Sequence, residues 1–292
     1  MKHELSILIP TFNGDCFDQV KTLSRQADNV ADFVYEIIVA DDGSTDKAIL
    51  DRCRRVESIS NCRFIACPVN KGRAAIRNFL AKEARYDWLL FMDCDMSIPN
   101  DRFLLNYLEC QAEAVAYGGY IVGEGDSSCL RYLYEKSCEP EHRAECRKRR
   151  PYQHFHTCNF LIRREVMLAH PFDERLRHYG YEDVLFGKQL RMAHIPIDHL
   201  DNPAGFYTFE DNANFVAKTE EGLRTLHEFR SDLRGYSQLL TFVDGIHIAP
   251  VRWVIRLWHW LFGRIERRCL CGPHPTLRLL KIYKLGYYLS LT

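Results

Sequence analysis

The chain has 292 residues, of which 47% are hydrophobic and 27% charged, so it is long enough for one large globular domain with an appendage. Its net charge is zero and it contains no recognisable nucleic-acid-reading module, which argues against a nucleic-acid partner, although residues 251–292 carry +7 and residues 1–250 therefore −7. Twelve scattered cysteines and the lack of an apolar leader predict reduced thiols in a cytoplasmic protein, and no run approaches the 18 apolar residues of a membrane-spanning helix.

Short apolar runs alternate with helical patterns along the first hundred residues. Asp46 is placed to cap the second of these helices. Strands that alternate with helices predict an α/β fold, with a doubly wound, mostly parallel sheet flanked by helices on both faces. The predicted strands are Leu5–Ile9, Tyr35–Ala40, Cys62–Ala66 and a run that begins at Trp88, and the helices reach to about Ala31 and cover Lys47–Val56 and Ala74–Arg85.

Three loops follow strands of this predicted sheet, at Thr11–Gly14, Asp41–Asp46 and Asp93–Asp95. Ligands of parallel α/β sheets bind beyond the carboxyl ends of the strands, where these loops would converge on one crevice. Their convergence predicts a nucleotide site more strongly than any single loop does.

The D-x-D at the end of the fourth strand is the most specific local signal. Asp93 and Asp95 are two residues apart and would share a face, where two like charges are costly unless a cation lies between them. Mg²⁺-type ions take one or two carboxylates together with phosphate oxygens. The pattern therefore predicts a metal-bound nucleotide, and the alternative is an ordinary turn, in which aspartate is common.

Beyond residue 100 the alternation weakens. A boundary near residue 240 would separate a catalytic domain, residues 1–240, from a basic amphipathic helical extension, residues 241–292. The later predicted elements are strands at Ala114–Val122 and Thr157–Ile162 and helices near Arg164–Ala169 and Val184–Met192.

Five motifs in this order resemble those of the family 2 glycosyltransferases of GT-A fold, over about residues 3–230. The resemblance implies inverting transfer of a sugar from a nucleotide-diphosphate donor, a UDP-sugar, to an acceptor hydroxyl. The motifs are Ser6–Asn13, Asp41–Asp46, Asn70–Asn78, Asp93–Asp95 and Tyr181–Asp183.

The resemblance also implies roles for individual residues. Asp42 would accept from the base N–H, and the Thr11 loop would form the other wall around the base. Asp95, helped by Asp93, would bind a divalent cation, Mn²⁺ or Mg²⁺, that neutralises charge on the leaving diphosphate. The full set of residues implied to bind the nucleotide sugar is Pro10, Thr11, Asn13, Asp41, Asp42, Lys71, Arg73, Arg77, Asp93 and Cys94.

Asp183 resembles the catalytic base of the family, and Glu182 would orient the acceptor or hold Asp183 in place. The alternative is that both are ordinary acidic residues of a first helical turn. One departure concerns the metal: many relatives have a histidine where this chain has aromatic residues, at Phe206 and its neighbour. His199 is the nearby candidate to replace it as a weak third ligand.

Two basic segments are interpreted in alternative ways. Arg143–Arg150 would contact a phosphorylated acceptor or form a solvated face, and His156 enters only as a weak zinc candidate. Residues 251–292 mix aromatic, aliphatic and basic side chains at helical spacing. They would either lie in an anionic membrane interface or fold back on the catalytic domain.

The sequence thus predicts a metal-dependent inverting glycosyltransferase. Its acceptor would be a saccharide or lipid-linked saccharide in surface-polysaccharide or glycolipid assembly, and the enzyme would contact a membrane peripherally. A nucleotidyltransferase is the less favoured alternative, because the loop at Pro10–Gly14 lacks the glycine-rich basic pattern that holds a triphosphate. A non-catalytic sugar-nucleotide-binding scaffold of the same fold is the other alternative.

Overall fold

A computed structural model of the protein describes residues 1–291. Its strands are β1 (Glu4–Thr11), β2 (Val34–Asp41), β3 (Cys62–Ala66), β4 (Trp88–Met92), β5 (Val115–Tyr117), β6 (Tyr120–Val122), β7 (Asn159–Arg163), β8 (Ile197–His199) and β9 (Ala204–Phe206). Seven of them form one sheet in the order β3-β2-β1-β4-β7-β5-β8, while β6 and β9 pair separately. Only β7 runs antiparallel to its neighbours, so the predicted mostly parallel sheet is confirmed.

Helices cover both faces of this sheet. They are α1 (Phe17–Asp28), α2 (Lys47–Arg54), α3 (Arg73–Glu83), α4 (Phe103–Glu109), α5 (Leu130–Cys138), α6 (Ala144–Arg147), α7 (Arg164–Ala169), α8 (Glu182–Met192), α9 (Asn212–Glu228), α10 (Arg230–Leu233), α11 (Gln238–Asp244), α12 (Ala249–Leu270) and α13 (Leu277–Ser290). One hydrophobic cluster joins the sheet to α1 and α4, and a second joins it to α3, α7 and α8. The predicted doubly wound arrangement is therefore confirmed.

Strand β1 shows how the sheet divides these two clusters. Leu5 and Ile7 face the α1 side, whereas Leu8 faces the α3 side, as the two-residue period of a strand requires. The strand ends at Thr11, which pairs with Asp41 at the end of β2. The carboxyl ends of the parallel strands consequently lie at one edge of the sheet, and the functional loops follow from there.

The predicted strand at Ala114–Val122 is two strands in different sheets. The break falls at Gly118 and Gly119, and Gly119 has a φ of +84°. A Cβ atom on Gly118 would lie 2.3 Å from the carbonyl oxygen of Asn202. The chain turns here because only glycine allows this close backbone approach, and the apolar pattern alone does not show it.

Several helix boundaries also differ from the predicted ones. The first helix ends at Asp28 instead of Ala31, because a tight turn follows and Asp32 is left-handed (φ 53°). The second ends at Arg54 and continues as a short 3₁₀ turn. Its predicted cap is confirmed: Asp46 accepts hydrogen bonds from the backbone N–H groups of Ala48 (2.9 Å) and Ile49 (3.4 Å).

The C-terminal helices fold back on the rest of the chain. Leu240 and Val243 of α11 and Leu289 of α13 share one cluster with Leu185 of α8 and Leu223 of α9. The predicted boundary at residue 240 lies inside α11, so it stays a prediction. Among residues 1–291, no helix is both long and apolar enough to cross a membrane.

Candidate active site

The structure joins the loops after β1 and β2 by direct hydrogen bonds. Asn13 N–H donates to Ser44 Oγ (2.6 Å), and Thr45 N–H donates to Asn13 Oδ1 (3.3 Å). Thr11 Oγ1 donates to the carbonyl of Gly14 (2.7 Å), which closes the first loop on itself. The predicted walls of a base-binding site therefore lie side by side, directly after Pro10 and its partner strand.

Asp41 and Asp42 are both buried, and each shapes a turn. Asp41 accepts from the N–H of Ser44 (2.8 Å) and from its hydroxyl group. Asp42 accepts from the N–H groups of Lys71 and Gly72, both at 2.9 Å, and burial raises its pKa although these two donors oppose the rise. Each carboxylate oxygen of Asp42 has a further lone pair, so its role toward the base stays a prediction.

The turn before α3 requires glycine at position 72. Gly72 has a φ of +94°, and a Cβ atom there would lie 2.8 Å from the carbonyl oxygen of Arg177. The turn places Lys71 at the exposed mouth of the cleft and Arg73 at the start of α3. Both cations thus flank the carboxyl ends of β1 and β2, as the donor-site prediction requires.

The D-x-D turn is held by backbone contacts from three directions. Asp93 N–H donates to the carbonyl of Cys158 (2.9 Å), and Ser97 and Gly205 exchange two backbone hydrogen bonds of 2.8 Å. The amide of Gln19, a buried side chain of α1, donates to the carbonyls of Asp93 (2.8 Å) and Met96 (2.7 Å). Gln19 was not predicted from the sequence, since nothing distinguishes it from other polar residues of a helix.

Arg77 links this turn to the start of α8. It is 1% exposed, and its guanidinium lies 2.6 Å from Asp93 Oδ1 and 3.7 Å from Glu182 Oε1. Arg73 approaches the same oxygen of Glu182 at 3.5 Å. Glu182 is therefore a buried anchor for two arginines, which favours its predicted supporting role over contact with an acceptor.

The proposed base, Asp183, lies in the first turn of α8 beside His156. Tyr181 has left-handed backbone (φ 70°) and directs the chain into the helix. His156 Nδ1 lies 2.9 Å from Asp183 Oδ2, and the N–H of Val184 donates to Asp183 Oδ1 (2.7 Å). Burial alone would raise the pKa of Asp183, but the hydrogen bond from His156 outweighs it and the pKa is lowered. Asp183 is thus held ionised, as a general base must be.

His156 responds in the opposite sense. Burial lowers its pKa, but the hydrogen bond to Asp183 and the negative charge of that residue outweigh burial and raise it. The sequence drew attention to His156 only as a weak zinc candidate, because its partner lies 27 residues away along the chain. Its pairing with Asp183 is a feature of the tertiary structure alone.

Asp95 fits a divalent cation in its exposure and charge. Its carboxylate is accessible, and no ion pair within residues 1–291 includes it, whereas Asp93 is paired with Arg77. The protein packed around Asp95, and then the charge of Asp93, raise its pKa. A cation would relieve this strain, but the described residues contain no group of three or more candidate ligands. Donor phosphates and water would have to complete its coordination.

Cys94, between the two aspartates, stays a neutral thiol. Burial, followed by the charge of Asp95, raises its pKa to about 12. A Cβ atom on Gly14 would lie 2.7 Å from its sulfur, so Cys94 packs beneath the first loop. It supports the donor site without carrying charge.

The weak prediction that His199 binds metal is wrong. His199 is buried, its Nδ1 is 3.0 Å from Arg147 Nη1, and its Nε2 is 2.9 Å from the carbonyl of Pro151, so both ring nitrogens are occupied. Arg147 is itself 1% exposed and donates to the carbonyls of Tyr117, Gly118 and Leu200. This part of the basic segment therefore holds the fold together instead of contacting an acceptor.

Arg131 occupies the side of the cleft where the resemblance implied a histidine. Its guanidinium lies 5.1 Å from the ring centre of buried Phe206 and 3.1 Å from Glu135 Oε1. The charge of Arg131 partly offsets the rise in the pKa of Asp95. No sequence signal identifies Arg131, because α5 is far from the D-x-D along the chain.

The comparisons with known proteins agree with this geometry. The family model described as glycosyl transferase family 2 matches residues 6–169. An uncharacterized glycosyltransferase of Haemophilus influenzae is 30% identical over 121 residues, which are 40% of this chain and 46% of the relative. A chondroitin synthase of Escherichia coli is 34% identical over 109 residues, 37% of this chain and 16% of the relative. The matched regions span less than half the length of these curated relatives.

Solved structures show the same fold. S. aureus TarS 1–349 in complex with UDP-GlcNAc superposes with a TM-score of 0.55 and 17% identity, over 99% of this chain and 90% of that one. The mannosyltransferase PcManGT from Pyrobaculum calidifontis, in complex with GDP-Man and Mn²⁺, gives a TM-score of 0.58 and 14% identity, over 99% and 85%. At these identities the likeness concerns the fold alone.

Proposed function

The chain belongs to glycosyl transferase family 2, and on that premise we propose that it transfers a sugar from a UDP-sugar to an acceptor hydroxyl with inversion. The observation that carries the proposal is the bridge from Asp93 through Arg77 to Glu182, beside Asp183. This bridge ties the proposed donor site to the proposed base across three elements of the fold.

The donor would bind at the edge of the sheet where the first loops meet. Thr11, Asn13 and Asp42 would surround the base, while Lys71 and Arg73 would approach the ribose and diphosphate with their positive charges. Asp95, helped by Asp93, would hold Mn²⁺ or Mg²⁺ on the donor phosphates. Such a cation neutralises charge that develops on the leaving diphosphate. The Mn²⁺ present in the complex of the mannosyltransferase supports this part of the proposal.

Inversion in a single displacement needs a base on the side of the sugar opposite the leaving group. Asp183 would take the proton of the acceptor hydroxyl as that oxygen attacks the anomeric carbon and the bond to the diphosphate breaks. His156 would hold the carboxylate of Asp183 ionised and oriented, and Glu182 would fix the start of α8 through its arginine pairs.

The acceptor is proposed to be a saccharide or a lipid-linked saccharide, in assembly of a surface polysaccharide or glycolipid. Relatives from Escherichia coli and Pasteurella multocida are named chondroitin synthase and hyaluronan synthase, which supports a polysaccharide product. A lipid-linked acceptor would require a peripheral membrane contact, for which residues 251–292 are the proposed segment.

The test is release of UDP from a panel of UDP-sugars with Mn²⁺ or Mg²⁺, for which no acceptor need be known. We expect metal-dependent release that Asp95→Ala abolishes and that Asp183→Asn reduces by about 10²–10⁴-fold, the usual contribution of a general base. Asp101→Asn is the matched control, because that side chain is 96% exposed on the surface.

Undiminished release in Asp95→Ala or Asp183→Asn would contradict the corresponding assignment. UDP binding without turnover, with any donor and with saccharide acceptors added, would favour the non-catalytic alternative. Release of pyrophosphate from a nucleoside triphosphate would instead identify a nucleotidyltransferase.

A further inference from the structure

The outer face of α12 is exposed and strongly apolar. Nine of the twenty large hydrophobic side chains exposed within residues 1–291 lie on this one helix, including Trp260 at 78%. This concentration exceeds the scattered apolar residues of an ordinary surface, and contiguous patches of this kind mark interaction sites. We define the outer face by its nine members: Val251, Trp253, Val254, Leu257, Trp258, Trp260, Leu261, Phe262 and Ile265.

The opposite side of α12 is already used in the fold. Gly263 and Leu270 are buried in a hairpin with α13, where a Cβ atom on Gly286 would lie 2.8 Å from the ring of His259. Glu220 of α9 fastens this hairpin, accepting from Arg267 Nε of α12 (2.8 Å) and from the hydroxyl of Tyr283 of α13 (2.6 Å). The outer face is therefore what remains after the hairpin has packed.

The charges around the outer face are of one sign. Arg264 and Arg268 are exposed at the end of α12, and Arg278 and Lys281 are exposed on α13. The one acidic residue of the segment, Glu266, is buried and accepts from the indole of Trp258 (2.8 Å). An occupant must consequently be both apolar and anionic, and a second copy of this face would instead bring like charges together.

We propose that the outer face of α12 docks on an anionic phospholipid bilayer, with the helix lying parallel to the membrane surface. Because no helix of the described chain is apolar enough to cross a membrane, the apolar side chains would enter only the interfacial region. Tryptophan prefers this region, and each nearby arginine adds attraction to acidic headgroups.

The hairpin is also connected to the proposed base. Glu221, next to Glu220 on α9, accepts from the N–H of Tyr179 (3.1 Å), and Thr225 donates to the carbonyl of Tyr179 (3.1 Å). Tyr179 lies just before the turn that presents Asp183. If the proposed transferase function holds, docking would therefore bring the acceptor side of the cleft to lipid-linked saccharides, whereas membrane binding itself does not depend on that function.

The protein contains its own fluorescent reporter for this test. Three of its four tryptophans lie on the outer face, and the fourth, Trp88, is 8% exposed in the sheet. We expect equimolar phosphatidylglycerol–phosphatidylcholine vesicles to shift the tryptophan emission to shorter wavelength and to sediment with the protein. Vesicles of phosphatidylcholine alone should bind much less, and added salt should weaken binding.

Two variants separate the apolar and electrostatic contributions while they keep every tryptophan. Leu261→Ser with Ile265→Ser should weaken vesicle binding at least about tenfold, because each loses apolar burial in the interface. Arg264→Glu with Arg268→Glu should do the same and abolish the preference for anionic lipid. The matched controls are Met192→Ser, exposed on α8, and Arg149→Glu with Arg150→Glu in the other basic segment. Circular dichroism verifies that each variant is folded.

The proposal is overturned if the wild-type protein does not bind anionic vesicles, or if only the Arg149 and Arg150 variant loses binding. A concentration-dependent dimer that buries the tryptophans in the absence of lipid would also overturn it. Binding is measured without donor or acceptor, so its failure is distinguishable from failure of the transferase proposal.

Discussion

His156 is the residue on which the properties of the proposed base most directly depend. In the protein, Asp183 is buried enough that its pKa would rise if it were alone, and the contact with His156 reverses that rise. The pair is therefore ionic over the pH range between the lowered pKa of Asp183 and the raised pKa of His156. A general base that is already ionised accepts a proton without first losing one.

We predict that His156→Ala moves the acidic limb of the pH profile of kcat/KM to higher pH. The physical reason is that burial then dominates and raises the pKa of Asp183, so the base is protonated over more of the acidic range. His156→Gln should give a smaller shift, since it keeps a hydrogen-bond donor but not the positive charge. The measurement is UDP release across pH, with the exposed His3→Gln as control. A lower rate with an unchanged profile would indicate that His156 has only a structural role.

Arg77 illustrates how a charge can be buried at this site. Its guanidinium stays ionised because Asp93 and Glu182 lie on either side of it, and the two carboxylates are likewise compensated by the arginine. Arginine suits this position better than lysine because its planar fork contacts two partners at once. The pairing also leaves Asp95, rather than Asp93, as the carboxylate available to a cation.

At the scale of elements, the turn into α3 controls where two donor-site cations lie. We predict that Gly72→Ala lowers stability and raises the KM for the donor, because alanine must adopt positive φ and its Cβ would meet the carbonyl of Arg177. Gly235→Ala is a matched control, since Gly235 also has positive φ (81°) but no atom within 4 Å of an added Cβ. Each left-handed residue costs about 1–3 kcal/mol.

Urea unfolding and donor titration would measure both effects. The excess loss of stability in Gly72→Ala over Gly235→Ala reports the steric contact alone, and only the former should change the KM. Equal losses with an unchanged KM would show that the turn tolerates the contact and does not position Lys71 and Arg73.

At the scale of the whole molecule, the acidic residues 1–250 and the basic residues 251–292 form one packed structure. We predict that a chain ended at residue 240 unfolds at lower urea concentration than the full chain. It would leave Leu185, Leu223 and Leu226 without their partners from α11 and α13, at about 2 kcal/mol for each buried side chain. Circular dichroism during urea titration measures this, and an unchanged midpoint would instead show that residues 1–240 are an independent domain.

The sequence predicted the sheet well because its local patterns are strong. Apolar runs such as Leu5–Ile9, each followed by polar turns, predict buried parallel strands regardless of what packs on them. It was wrong about the strand at Ala114–Val122, where the break depends on a close approach by the chain near Asn202, about eighty residues later. The proposed metal ligand His199 failed for the same reason, since Arg147 and Pro151 occupy its nitrogens.

The sequence by itself determined the α/β alternation, the order of the motifs and the presence of acidic residues at strand and helix ends, because these are properties of neighbouring residues. Only the tertiary structure decided that Arg77 joins Asp93 to Glu182, that His156 pairs with Asp183, and that α12 leaves its outer face exposed while α13 packs. The physical reason is that burial, pKa shifts and ion pairs depend on distances between segments far apart along the chain, and those distances exist only in the folded molecule.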